Sequence, residues 1–192
     1  DRLKIGGLKV FTDGAIGSKT AWTTRPYKGE PDNYGISMLD DEELNDLVKR
    51  AHENGIQVAI HAIGDRALDQ AIGSLEAVIE NGRNRLRHRI EHCEMARDEQ
   101  IEKMAQLNII ACMQPNFVGE WGLPGSMYEE RFDGEDLSDL DRFKVFEKKG
   151  VPLAFGSDGM PFGPLYGIHW VVNSPFDSQR LSPESAFRAY TK

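Results

Sequence analysis

Residues 56–92 read IQVAIHAIGDRALDQAIGSLEAVIENGRNRLRHRIEH. Two short runs, Ile56 to His61 and His88 to His92, have the apolar, β-branched character of strands, and each ends on a histidine. Between them Leu68, Ala71, Ile72, Leu75 and Ile79 recur with a helical period. Asp65 is placed to cap that helix and Asn81-Gly82 to stop it. The stretch is therefore one strand–helix–strand unit.

The same rhythm extends outward in both directions. Upstream, Gly7 to Asp13 reads as a strand and Gly14 to Leu39 as a long Gly-, Pro- and Trp-containing loop. A helix then begins at Asp40, with Glu43 completing a capping box and Leu44, Leu47, Val48 and Ala51 on one face, and Asn54-Gly55 ends it. Downstream, Asp98 to Leu107 reads as a helix with Ile101, Met104 and Ala105 inward, and Ile109 to Met113 as a strand. The unbroken apolarity of that strand suits a parallel sheet covered on both faces. The irregular stretch from Gln114 to Asp139, with Trp121, Met127, Tyr128 and Phe132, reads as a lid or insertion. A helix over 140–149, a fifth strand over 151–155 and a last helix announced by Ser182-Pro183-Glu184 follow. Units of roughly 30 residues are the repeat of a (β/α) barrel. The expected class is thus α/β, built on TIM-type (β/α) barrel units, in a single domain over 1–192.

Composition narrows the function. The chain has 192 residues, is 40% hydrophobic and carries a formal net charge of -8, so it lacks the basic footprint of nucleic-acid binding. No apolar run has the length of a membrane span and the first residues show no export signal, which makes a cytoplasmic location the expectation. Cys93 and Cys112 read as small buried thiols rather than a disulfide framework.

Four side chains able to hold a metal, Lys9, His61, His92 and Asp158, lie in or just after strands, where barrel residues converge on one site. Strand parity puts Gln57, Ala59 and His61 on one face, His88, Ile90 and His92 on another such row, and Ala154, Gly156 and Asp158 on a third. Imidazole and carboxylate suit zinc and related divalent ions. A buried lysine can react as the neutral amine with carbon dioxide to form an anionic carbamate, and Lys9, in an otherwise apolar strand, is the candidate. Each assignment has a plainer competitor: a snorkelling Lys9, hydrogen-bonded core histidines, a turn-capping Asp158. His88, at the start of its strand, reads as structural, His52 as lying on a polar helix face, and Glu91 as pointing outward to the surface. Trp121, Tyr128 and Phe132 are read either as a substrate wall or as packing on their own loop.

The segments LKVFTDGAIGS, IHAIGDRA, RIEHCE, MQPNF and FGSDGMPFGPL together resemble the amidohydrolase superfamily, specifically amidohydrolase family 3, the branch that includes N-substituted formamide deformylases. The resemblance covers nearly all of the chain. It implies a metal centre of one or two divalent ions, with zinc the expected metal, in which Lys9, His61, His92 and Asp158 are ligands and Lys9, where carboxylated, bridges two ions. It also implies that Asp158 acts as a catalytic proton shuttle and that Gln114 and Asn116 contact a small-molecule substrate. The expected reaction is hydrolysis of an amide, formamide or related C–N bond. The superfamily's His-x-His pair is missing here, so the five strands correspond to strands four to eight of the barrel, without the first three and without the β-sandwich. Exposed sheet edges would then be covered by the missing barrel half or by another copy of the chain. The alternative is an inactive structural piece that oligomerises through those edges and binds no metal tightly.

Overall fold

A computed structural model describes residues 6–132 and 137–191. Five strands, β1 (Leu8–Phe11), β2 (Val58–Ala62), β3 (Arg89–His92), β4 (Ile110–Met113) and β5 (Leu153–Phe155), form one parallel sheet in sequence order. Among the described residues seven α-helices accompany them: α1 (Asp41–Glu53), α2 (Asp65–Glu76), α3 (Asp98–Gln106), α4 (Asn116–Trp121), α5 (Phe143–Lys149), α6 (Pro164–Asn173) and α7 (Pro183–Thr191). The class is α/β, as expected. No helix among the described residues is long and apolar enough to cross a membrane.

The helices cover one face of the sheet. Val10, Val58, Ile60, Ile90, Ala111, Met113 and Phe155 meet Leu44, Val48, Leu68, Leu75, Ile101, Met104, Phe143 and Phe146 in one continuous core. The other face carries a row in register across all five strands: Phe11, His61, Glu91, Cys112, Ala154. One step toward the strand starts lie Lys9, Ala59 and Arg89.

Local signals explain most boundaries. Asp40 caps α1 by accepting the Glu43 N–H at 2.8 Å while the Glu43 carboxylate accepts from Asp40 N. Asp65 is not the cap expected for α2. It is the first helical residue, Gly64 is the cap, and the Asp65 carboxylate instead accepts from Thr24 N at 2.8 Å and from Arg97 at 2.7 Å. Gly64 is required because a Cβ there would fall 2.0 Å from Trp22 O. The helix expected from residue 140 starts at Phe143, after a separate turn of 3-10 helix at Leu137–Asp139. Helices α4 and α6 were not expected at all, since Gly119 and Gly167 interrupt their apolar patterns. Both glycines sit at close crossings: a Cβ on Gly119 would overlap the Trp170 ring, and one on Gly167 the Tyr190 hydroxyl.

The two long loops do not pack separately. Ile16, Ala21 and Tyr27 from the first join Tyr128 and Phe132 from the second, with Ile63, Met95, Leu137 and Leu140, in a second buried cluster. Tyr27 stacks on Phe132 at 4.8 Å between ring centroids. Tyr128 and Phe132 are thus loop core, leaving only the half-buried Trp121 of the proposed aromatic wall open to a ligand.

Candidate metal centre

His61, next to last in β2, has its ring against Phe11 and His92, at 4.9 and 4.5 Å between centroids. Its Nε2 lies 2.8 Å from the Gly14 carbonyl oxygen, which can only accept, so Nε2 carries a proton and Nδ1 is the nitrogen left for a metal. Asp13 stands 3.4 Å from the same Nε2. Its buried carboxylate takes three backbone N–H bonds, from Trp22 at 2.9 Å, Ile63 at 3.1 Å and Gly64 at 2.8 Å. One side chain therefore ties the first long loop to the end of β2 and orients the His61 ring.

His92 reaches the site by a route that strand parity does not describe. In register it pairs with Ala62, while Glu91 occupies the row of His61. Left-handed backbone at His92 (φ 78°) and Cys93 (φ 57°) breaks the alternation and brings the imidazole over to His61. Such conformations cost non-glycine residues about 1–3 kcal/mol each and gather at functional sites. Asp158, after β5, is left-handed too, at φ 45°. Glu91 is correspondingly not on the surface: it is buried and accepts from Arg89 Nε at 2.6 Å.

His92 Nε2 lies 3.9 Å from Asp158 Oδ2, and the Asp158 side chain is 59% exposed. Burial, together with the nearby His61 and Lys9 charges, pushes the His92 pKa down to about 3, so the ring is neutral, the form that binds a metal. Its buried Nδ1 has no hydrogen-bond partner.

The structure thus puts His92 beside both His61 and Asp158, whereas Lys9 stands lower on the same sheet face. It is exposed, with Nζ 5.1 Å from the Phe11 ring centroid, and lines a recess of about 400 Å³ with Gln57, Ala59 and Arg89. Gln114 and Asn116 are buried at the end of β4. Asn116 donates to Ser157 O at 3.0 Å and so pins the turn that carries Asp158. Gln114 lies beside His92 without a bond of ordinary geometry, and Gln114 Oε1 and Asn116 Oδ1 are both without partners. Among the described residues no three His, Cys, Asp or Glu side chains close on one point as a ready-made cage. Two imidazoles and a carboxylate, one ring nitrogen orphaned, nonetheless have the donor chemistry of part of a divalent metal site.

Three further acids, Asp13, Glu94 and Asp141, surround the site without a motif that marks them in the sequence. Asp13 is the last residue of the first expected strand. Glu94 and Asp141 are fully buried, and burial raises the pKa of both, that of Glu94 to about 7. Glu94 accepts a hydrogen bond from the Tyr128 hydroxyl and lies 4.0 Å from His92 Nδ1. Only the i, i+2 spacing of His92 and Glu94 in RIEHCE hinted at this, and spacing cannot show that the strand has ended between them.

The sequence profile of the amidohydrolase family matches residues 1–192. This chain belongs to the amidohydrolase family. It is 32% identical to the putative amidohydrolase YtcJ of Bacillus subtilis (strain 168), over 99% of this chain and 37% of YtcJ. It is 30% identical to the N-substituted formamide deformylase of Arthrobacter pascens, over 81% of this chain and 28% of that enzyme. An uncharacterized metal-dependent hydrolase from Pyrococcus furiosus superposes with a TM-score of 0.85 at 31% identity, over 98% of this chain and 39% of that one. This amidohydrolase chain therefore spans well under half the length of the relatives it matches, and its five parallel strands match part of a metal-dependent hydrolase fold.

Proposed function

We propose that this chain is strands four to eight of a metal-dependent amidohydrolase barrel, and that the complete site hydrolyses an amide, formamide or related C–N bond of a small molecule. The observation that carries this reading is the meeting of His61, His92 and Asp158 at the C-terminal ends of β2, β3 and β5, with backbone strain at two of the three. His61 offers Nδ1, because Nε2 is committed to Gly14 O, and His92 offers Nε2 on the side of Asp158. Zinc suits this donor set; Lys9 is exposed rather than buried as expected, so a carbamate on it rests on the family resemblance and not on its burial. A divalent metal held there supplies Lewis acidity, lowering the pKa of a water and polarising the scissile carbonyl.

The chain's own residues then manage the proton. Asp158 is exposed enough to meet substrate, and its Oδ2 takes the proton of the attacking water and returns it to the leaving amine. Gln114 Oε1 and Asn116 Oδ1, buried acceptors without partners, are suited to an N–H of the substrate. Similarity to an N-substituted formamide deformylase supports a C–N bond as the target. Metal analysis of the purified protein after zinc loading tests the reading. Stoichiometric zinc that is lost in His61→Ala and His92→Ala is expected. A zinc-free protein under those conditions would favour a purely structural piece that associates through its sheet edges.

A further inference from the structure

A fully buried carboxylate needs a partner, because an isolated charge away from water is costly. Glu94 is 2% exposed, and the two side chains that answer it come from different parts of the molecule. Tyr128, from the second buried cluster, donates its hydroxyl to Glu94 Oε2. The neutral His92 ring turns Nδ1 toward Glu94 Oε1 at 4.0 Å, about 1 Å outside hydrogen-bond range. That nitrogen is buried and makes no hydrogen bond of ordinary geometry, Gln114 being the other polar side chain beside the ring. An orphan ring nitrogen and a buried acceptor therefore face each other on the side of the imidazole opposite Asp158.

We infer that Glu94 is a positioning residue for the candidate metal centre: it accepts the Nδ1–H of His92 and, anchored by the Tyr128 hydroxyl, holds the imidazole with Nε2 turned toward the metal position. This rests on His92 being a ligand. A carboxylate on the far nitrogen fixes the tautomer and ring orientation and makes the ligating nitrogen more basic. The anchor has a structural consequence of its own. Tyr128 belongs to the core formed by the two long loops, so the packing of Tyr27, Phe132 and Leu140 reaches the metal ligand through two side chains.

The test is zinc affinity, by competition with a chromophoric chelator, in the full-length protein and its variants, alongside the ¹⁵N shifts of the His92 ring in the metal-free state. Glu94→Gln should bind zinc roughly 10- to 100-fold more weakly, and the His92 shifts should move away from the Nδ1–H tautomer. Tyr128→Phe, which keeps the carboxylate and one aromatic ring, should weaken zinc several-fold in the same direction, and it decides the matter if Glu94→Gln fails to fold. Unchanged zinc affinity in both variants, while His92→Ala loses zinc, overturns the role of Glu94 and leaves the centre standing. Unchanged affinity in His92→Ala overturns the centre and the inference with it.

Discussion

At the scale of single residues, two buried groups have consequences that can be measured. Asp13 satisfies three backbone donors, so Asp13→Ala strands them and should lower stability by about 3 kcal/mol in chemical denaturation, with Asp13→Asn in between. His88 accepts from Val58 N at 3.0 Å through Nδ1, and its Nε2–H points at His52 Nδ1 2.9 Å away. Burial and then the His52 charge push its pKa from 6.5 down to about 4. The unfolded chain thus takes up a proton near pH 6.5 that the folded chain refuses until about pH 4. This contribution is complete above pH 6.5, falls as the pH drops from 6.5 to 4, and amounts to about 3 kcal/mol at most. Denaturation midpoints across that window should flatten in His88→Gln, with a remaining slope from His92, whose pKa is also depressed. His88 was legible as structural from its place at the start of a strand. Glu94 was not legible, because parity says nothing past the left-handed His92, and Glu91 was put on the wrong face because parity was counted from that same residue.

At the scale of elements, glycine has opposite meanings in two helices. Gly119 in α4 lies where a Cβ would be about 2.1 Å from the Trp170 ring of α6, whereas Gly73 in α2 faces open space. Gly119→Ala should therefore cost about 1–3 kcal/mol and speed proteolysis within residues 114–132. Gly73→Ala should instead raise stability by about 0.5–1 kcal/mol, since only the helical preference changes. Thermal melts of the two variants, shifting in opposite directions, check both. The same contrast explains which helices the sequence announced. Helix α1 carries its capping box and apolar stripe within itself, and α4 and α6 carry glycines whose reason is another helix.

At the scale of the whole molecule, β1 and β5 each pair on one side only among the described residues. Unpaired strand edges recruit other strands, so this chain expressed by itself should associate as its concentration rises. Sedimentation velocity over a dilution series reads this directly, and a monomer at every concentration would show that the edges are protected by other means. The chain's own residues determine the order and kind of its strand-helix units through period, caps and stops, all of which act within a few neighbouring residues. They also place Lys9, His61, His92 and Asp158 in or just after strands. Which of them meet is decided by tertiary structure alone. The His92 ring reaches His61 through a backbone excursion, Asp13 fixes the His61 ring from about fifty residues away, and Glu94 acquires Tyr128 from a loop core that forms only when two distant segments pack. Those contacts depend on φ at a few positions and on long-range packing, and neither leaves a periodic trace in the sequence.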